Sequence, residues 1–139
     1  MRTIAWKIEA NTVVLVHGAN DPADPEWTEY LEALRAGIHR GERLRVLVVT
    51  PGSGPNMRQR KELNEVFQGM STPTAVVTSS TVGRAVVTLL ALRNPDIRAF
   101  EPGRMSEAFE YLSIPPPQRE RLQALVDTLR AEVGLASVA

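Results

Sequence analysis

The chain has 139 residues, of which 43% are hydrophobic and 23% charged, and it contains no cysteine. Its 16 basic residues balance 16 acidic ones, so the formal net charge is +0. This size and composition predict one soluble folded domain. The lack of cysteine excludes disulfides, thiolate catalysis and cysteine-bound metals. The neutral charge balance argues against a protein that grips phosphates, so we predict no nucleic-acid partner.

The N-terminal sequence MRTIAWKIEAN lacks the long apolar run of a secretory signal. No apolar run elsewhere approaches the roughly 20 residues that a membrane-spanning helix needs. From these patterns we predict a cytoplasmic protein with no integral membrane segment.

The N-terminal part of the chain predicts two strands and a helix. Residues 3–8 alternate apolar and polar side chains, as in a half-buried edge strand, and the apolar run at 13–16 follows closely. Together they predict a β-hairpin. Asp24 is a favourable N-cap residue and Pro25 suits a first helical turn, so we expect a helix there with Asp24 as its cap.

Two strand–loop–helix units occupy the middle of the chain. The strand at 44–49 ends in a loop rich in glycine, proline and serine, after which Asn56 caps a helix. The strand at 74–78 runs into a hydroxyl-rich segment and a second helix at about 81–93. That second helix is apolar around most of its circumference, so we expect it to be deeply packed or covered by a partner.

The C-terminal part predicts a short strand at 97–100, a short helix and a longer final helix. Pro115, Pro116 and Pro117 predict a stiff connector. The final helix, at about 118–133, carries an apolar stripe of Leu122, Leu125, Val126, Leu129 and Val133. The stripe should dock on its own domain or on a second copy. The stiff connector, with helix 82–92 as an acceptor, favours a homodimer.

This order of elements predicts an α/β fold. We expect a mostly parallel sheet with an N-terminal β-hairpin, flanking helices and an extra C-terminal helix. Residues 1–114 would form the domain, and residues 115–139 the proline-rich connector and the amphipathic helix.

Several stretches of sequence carry a resemblance to a known family. They are Thr74-Ala75-Val76-Val77, the helix from Gly83-Arg84 to Arg93-Asn94-Pro95, Ile97-Arg98-Ala99-Phe100 and Ser106-Glu107-Ala108-Phe109-Glu110-Tyr111-Leu112. Over residues 3–114 the chain resembles the STAS domain, the fold of anti-sigma-factor antagonists. It is closer to the STAS-like proteins that share features with CRAL-TRIO lipid-transfer domains. The resemblance implies a signalling module that binds a kinase-like or regulatory protein.

In that family a serine in the loop before the second helix is phosphorylated, and the phosphate blocks partner binding. Ser53 stands in this loop, residues 50–56, so the resemblance implies Ser53, with Thr50 nearby, as the phosphorylation candidates. Thr50-Pro51-Gly52 stands where the family has an Asp-Ser step. A helix N-terminus favours a phosphate in such a loop, although glycine, proline and serine are also ordinary turn residues.

The two hydroxyl-rich strand ends, residues 50–57 and 78–81, form what we call the rim. The partner-binding residues predicted there are Asn56, Met57, Ser79, Ser80 and Thr81. Ser79 or Ser80 could instead serve only as a helix N-cap.

Two alternative functions stay open. The first is a small-molecule or lipid-binding domain with a pocket between the sheet and helix 82–92. The second, less favoured, is a small hydrolase in which His17 and Ser53 form a catalytic pair, although no G-x-S-x-G elbow is present. Asp21 and Asp24 match no metal signature, and no phosphate-binding glycine motif occurs. We therefore predict that the protein is not an enzyme and uses no cofactor or metal.

Overall fold

The computed structural model describes residues 1–68, 70–92 and 94–135. Within them, five strands form one sheet in the order β1-β2-β3-β4-β5. The strands are β1 (Ile4–Glu9), β2 (Thr12–His17), β3 (Arg45–Thr50), β4 (Thr74–Thr78) and β5 (Ile97–Phe100). The helices are α1 (Asp24–His39), α2 (Met57–Val66), α3 (Thr81–Ala91), α4 (Met105–Tyr111) and α5 (Pro116–Glu132), with a 3-10 turn at Pro102–Arg104.

The sheet is mixed, with one antiparallel pair. β1 runs antiparallel to β2, and the pairs from β2 to β5 are all parallel. The hairpin turn places Ala10 and Asn11 at φ angles of 47° and 67°. Two successive positive φ values suit the right-handed twist of a tight hairpin. These findings confirm the predicted α/β fold with its N-terminal hairpin, mostly parallel sheet and flanking helices.

Helices cover both faces of the sheet. The crossovers step in one direction along it, and right-handed crossovers then place α1, α2 and α3 together on one face. α4 and α5 lie on the other face, where Phe109, Leu122 and Val126 share a core with Val14 and Leu47. Alternate side chains of β2 and β3 therefore pack into two cores, one on each face of the sheet. This explains why both strands are continuously apolar. None of the helices in the described part of the chain combines the length and apolar character that crossing a bilayer requires.

The start of α1 differs from the prediction. Ala23 occupies the N-cap position, and Asp24 is the first residue of the helix rather than its cap. The carboxylate of Asp24 instead accepts hydrogen bonds from the side chains of Arg58 and Gln59 on α2. The expected role of Asp24 as a cap was wrong because a tertiary partner holds the carboxylate.

The three prolines also behave differently from the stiff connector that we expected. Pro115 is the N-cap of α5, and Pro116 and Pro117 form its first turn, where the fixed φ of proline is favourable. The helix docks on its own domain, with Leu122 and Leu129 buried. A homodimer stays a prediction, but a C-terminal helix held away from the domain no longer supports it.

Candidate functional site

The two strand ends that make up the rim lie side by side. Thr50 at the end of β3 is the register partner of Thr78 at the end of β4. The loops that follow also touch, since a Cβ on Gly52 would lie 3.2 Å from Cβ of Ser80. Gly52 has a φ of 140°, a conformation that other residues rarely adopt. The rim is therefore one continuous surface at the carboxyl ends of the parallel strands.

Both phosphorylation candidates have their hydroxyl groups engaged. The Thr50 hydroxyl donates to the carbonyl of Ser53 at 2.6 Å and accepts from the N–H of Gly52 at 3.0 Å. The Ser53 hydroxyl donates to the carbonyl of Gly18 at 2.6 Å. Thr50 is buried and Ser53 is half-buried. A phosphate on either residue would require these bonds to break.

Two of the predicted partner-binding residues are helix caps. The Asn56 side chain accepts from the N–H of Gln59 at 2.8 Å, and the Gln59 side chain accepts from the N–H of Asn56 at 3.0 Å, which is a capping box. The Ser80 hydroxyl accepts from the N–H of Gly83 at 2.9 Å. Met57, Ser79 and Thr81 are exposed. Asn56 is exposed as well, but its side chain is engaged in the capping box, so Met57, Ser79 and Thr81 are the predicted residues that a partner could contact without breaking a cap.

Gln59 joins the start of α2, next to the rim, to the start of α1, a role that we did not predict. Its side chain is fully buried and donates to the carbonyl of Pro22 and to the carboxylate of Asp24, both at 3.0 Å. Its own carbonyl accepts from the indole N–H of Trp27 at 3.1 Å. The spacing Asn56-x-x-Gln59 was the available signal, but it predicts only the reciprocal cap.

His17 ends β2 close to the rim. It is 2% exposed, and its buried Nδ1 has no hydrogen-bond partner among the residues that the structure describes. Burial lowers the pKa of His17 to about 4, against a smaller opposing effect of Asp21. The Ser53 hydroxyl donates to Gly18 rather than to His17. The Ser–His pair of the hydrolase alternative is therefore not assembled.

The main exposed apolar feature of the molecule is α3. Val87 is the buried residue of this helix, which packs on β4 and β5. Val82 is 74% exposed and Leu89 66% exposed, and Val86 and Leu90 are exposed as well. Met57, on the rim at the start of α2, is 80% exposed. A contiguous exposed apolar patch of this kind usually marks a site of interaction.

One concave surface lies at the opposite end of the strands from the rim. A cavity of about 750 Å³ opens at the amino ends of the strands, with Ile38, Leu44, Met70 and Leu112 among its walls. The small-molecule alternative placed its pocket between the sheet and helix 82–92, which is a different position. A second hollow, of about 260 Å³, lies at the end of β5 beside Arg84.

Comparisons with protein-family models and with curated proteins found no match to this chain. The resemblance to STAS domains therefore stays a prediction that depends on the residues quoted for it and on the order of the elements.

Proposed function

We propose that this protein is a non-catalytic protein-interaction module of the signalling type. Its partner would bind the exposed apolar side chains of α3 together with the neighbouring rim residues Met57, Ser79 and Thr81. The observation that carries the proposal is the exposure of large aliphatic side chains on α3. The STAS-like sequence pattern supports the same function, with a regulatory or kinase-like protein as the partner in the cytoplasm.

A partner that covers α3 would gain free energy from burial of its exposed side chains. Complete burial of an exposed valine or leucine side chain stabilises a complex by about 1.5–3 kcal/mol. α3 has four such side chains, Val82, Val86, Leu89 and Leu90, in positions that the sheet does not cover. In a surface helix, the apolar residues usually face the core of the same domain. The composition of α3 is therefore better explained by a second protein than by the stability of this domain.

Ser53 is the proposed switch. Phosphorylation would replace the hydroxyl hydrogen that Ser53 donates to the Gly18 carbonyl with a charged group. The bond between the two loops would be lost, and negative charge would appear beside the start of α2. A partner that contacts Met57 would then meet an altered rim.

Site-specific photo-crosslinking in the source cells tests the proposal. A photoreactive residue at position 82 of the full chain should capture a partner, and Leu89→Asp in the same chain should abolish the adduct. The matched control places the photoreactive residue at position 120, exposed on α5. The proposal fails if positions 82 and 120 yield the same adducts, or if Leu89→Asp leaves the adduct at position 82 unchanged.

The cavity at the amino ends of the strands supports a second candidate function, the binding of a small apolar ligand. Its volume of about 750 Å³ falls within the range of ligand pockets. Leu112→Trp should fill part of the cavity and displace any molecule that native mass spectrometry finds on the purified protein. Leu89→Asp should leave that molecule bound, which separates this candidate from the interaction module.

A further inference from the structure

We propose that α2 and α3 form the two walls of a groove that receives an amphipathic helix from a partner protein, with acidic residues beside the apolar stripe of that helix. This inference rests on the proposed function and names the partner's chemistry. The groove runs over β4, because α2 and α3 lie on one face of the sheet on either side of that strand.

The apolar wall is the side of α3 that faces α2. The guanidinium of Arg84 donates to the carbonyl of Thr78 at the end of β4 at 2.8 Å. It also approaches Glu101 at 4.0 Å and lines the hollow beside β5, which places it on the β5 side of α3. Val82 and Val86 stand two residues before and after Arg84, about 200° around the helix, and so face the opposite way. Leu89 and Leu90 extend this stripe by one further turn. Among the described residues of α3, the side that faces α2 therefore carries no charged side chain.

The basic wall is the side of α2 that faces α3. Gln59 faces α1, since its side chain bonds to Pro22 and Asp24. Met57 and Lys61 stand two residues from Gln59, about 200° around the helix, and Arg60 lies about 100° away. Arg58 is paired with Asp24. Among the described residues, by contrast, no carboxylate pairs with Arg60 or Lys61.

These two walls define the occupant. An apolar stripe would pack on Val86 and Leu89, and carboxylates along one flank would meet Arg60 and Lys61. Binding of a helix in a groove through residues spaced three and four apart is a common mode of recognition. A second copy of the chain fits less well, because the apolar stripes of its α1 and α5 are already buried in its own cores. Its α3 exposes an apolar stripe, but the sequence of that helix has Arg84 and no carboxylate to meet Arg60 and Lys61. The partner is therefore a different protein.

A designed peptide provides the direct test. It has about 18 residues, or five helical turns, with leucine at i, i+3, i+4 and i+7 and glutamate along one flank. A fluorescent form is titrated with the full protein, and a peptide with lysine in place of glutamate is the control. We expect the glutamate peptide to bind at least about tenfold more tightly, with an affinity that falls as salt is added.

Protein variants locate the binding site. The double variant Arg60→Glu/Lys61→Glu should weaken binding by about tenfold or more, and so should Leu89→Asp. Arg35→Glu/Arg43→Glu, at two exposed positions on α1 and just after it, reverses the same number of charges and should change the affinity by less than about twofold. All of these residues are at least partly exposed, so equal unfolding midpoints will show that each variant is folded.

Three results would overturn the inference. They are equal binding of the glutamate and lysine peptides, unchanged binding by Arg60→Glu/Lys61→Glu, and binding of phosphatidylglycerol vesicles without binding of the peptide. The crosslinking experiment distinguishes this failure from failure of the proposed function. If the adduct at position 82 is lost with Leu89→Asp but kept with Arg60→Glu/Lys61→Glu, the module binds a partner whose helix is not acidic.

Discussion

The Ser53 hydroxyl donates a hydrogen bond of 2.6 Å to the carbonyl oxygen of Gly18. This bond joins the loop after β3 to the loop after β2. Gly18 is itself fixed, because its N–H donates to the carbonyl of Thr3 at 2.8 Å and a Cβ there would lie 3.2 Å from the carbonyl oxygen of Val133. A change at Ser53 should therefore disturb, through Gly18, the contacts at the edge of the sheet and at the end of α5.

Ser53→Ala should lower the free energy of unfolding by about 0.5–1.5 kcal/mol, the usual value of one hydrogen bond. Ser53→Asp should lower it further, because a carboxylate cannot donate and would face the Gly18 carbonyl. Urea denaturation measures both changes. Ser79→Ala, which removes an exposed rim hydroxyl, is the control and should be close to neutral.

The same two variants test the switch. Ser53→Asp should abolish the crosslinked adduct at position 82, whereas Ser53→Ala should retain it, because only the aspartate adds charge at the interface. Equal adducts from both variants, with no phosphate on Ser53 in protein from the source cells, would rule out a phosphorylation switch.

His17 should make the protein less stable in mild acid. Its pKa is about 4 in the folded protein, against 6.5 for an ordinary histidine. Between these pH values the unfolded chain binds more protons than the folded chain, so the free energy of unfolding falls as the pH drops from 6.5 towards 4. The slope should approach, at most, about 1.4 kcal/mol per pH unit.

His17→Leu removes the titrating group and the unpartnered Nδ1, so the plot of unfolding free energy against pH should become flatter between pH 6.5 and 4. His39→Gln, which replaces the exposed histidine of α1, is the matched control and should preserve the wild-type slope. If both variants keep that slope, His17 is not the group responsible.

Gln59→Leu should lower the free energy of unfolding by at least about 2 kcal/mol, because it leaves the Pro22 carbonyl without its donor and removes the reciprocal half of the capping box. Gln68→Ala removes an exposed amide and should be near neutral. Chemical denaturation of both variants measures the two changes in the free energy of unfolding. Similar small losses would mean that Gln59 does not fasten α2 to α1.

Leu129→Ala should lower the free energy of unfolding by about 2–5 kcal/mol, since Leu129 is buried between α5 and the sheet. Leu92→Ala makes the same chemical change at a site that is 81% exposed and should cost less than about 0.5 kcal/mol. Thermal or urea unfolding gives both values. Equal losses at the two positions would show that α5 is not docked on its own domain.

The order and type of the elements could be predicted from local sequence patterns. The strands predicted at 3–8 and 13–16 and the cap at Asn56 depend on neighbours a few residues away, and they appear in the structure as predicted. Ser79 and Ser80 were alternative caps for α3, and the structure has Ser80 in that position. The parallel sheet followed as well, because strands joined by single helices pair in that direction. Local chemistry is sufficient for these features.

The contacts and burial of individual side chains, by contrast, depend on the tertiary structure and could not be predicted from local patterns. Asp24 has the chemistry of a cap but binds Arg58 and Gln59, which lie 34 and 35 residues away in the sequence. The apolar composition of α3 fits a buried helix equally well. Its exposure follows from its position at the edge of the layer, over the last strand of the sheet, where no other helix of the described residues covers it. Burial and pairing depend on which distant elements meet, and a pattern of neighbouring residues does not contain that information.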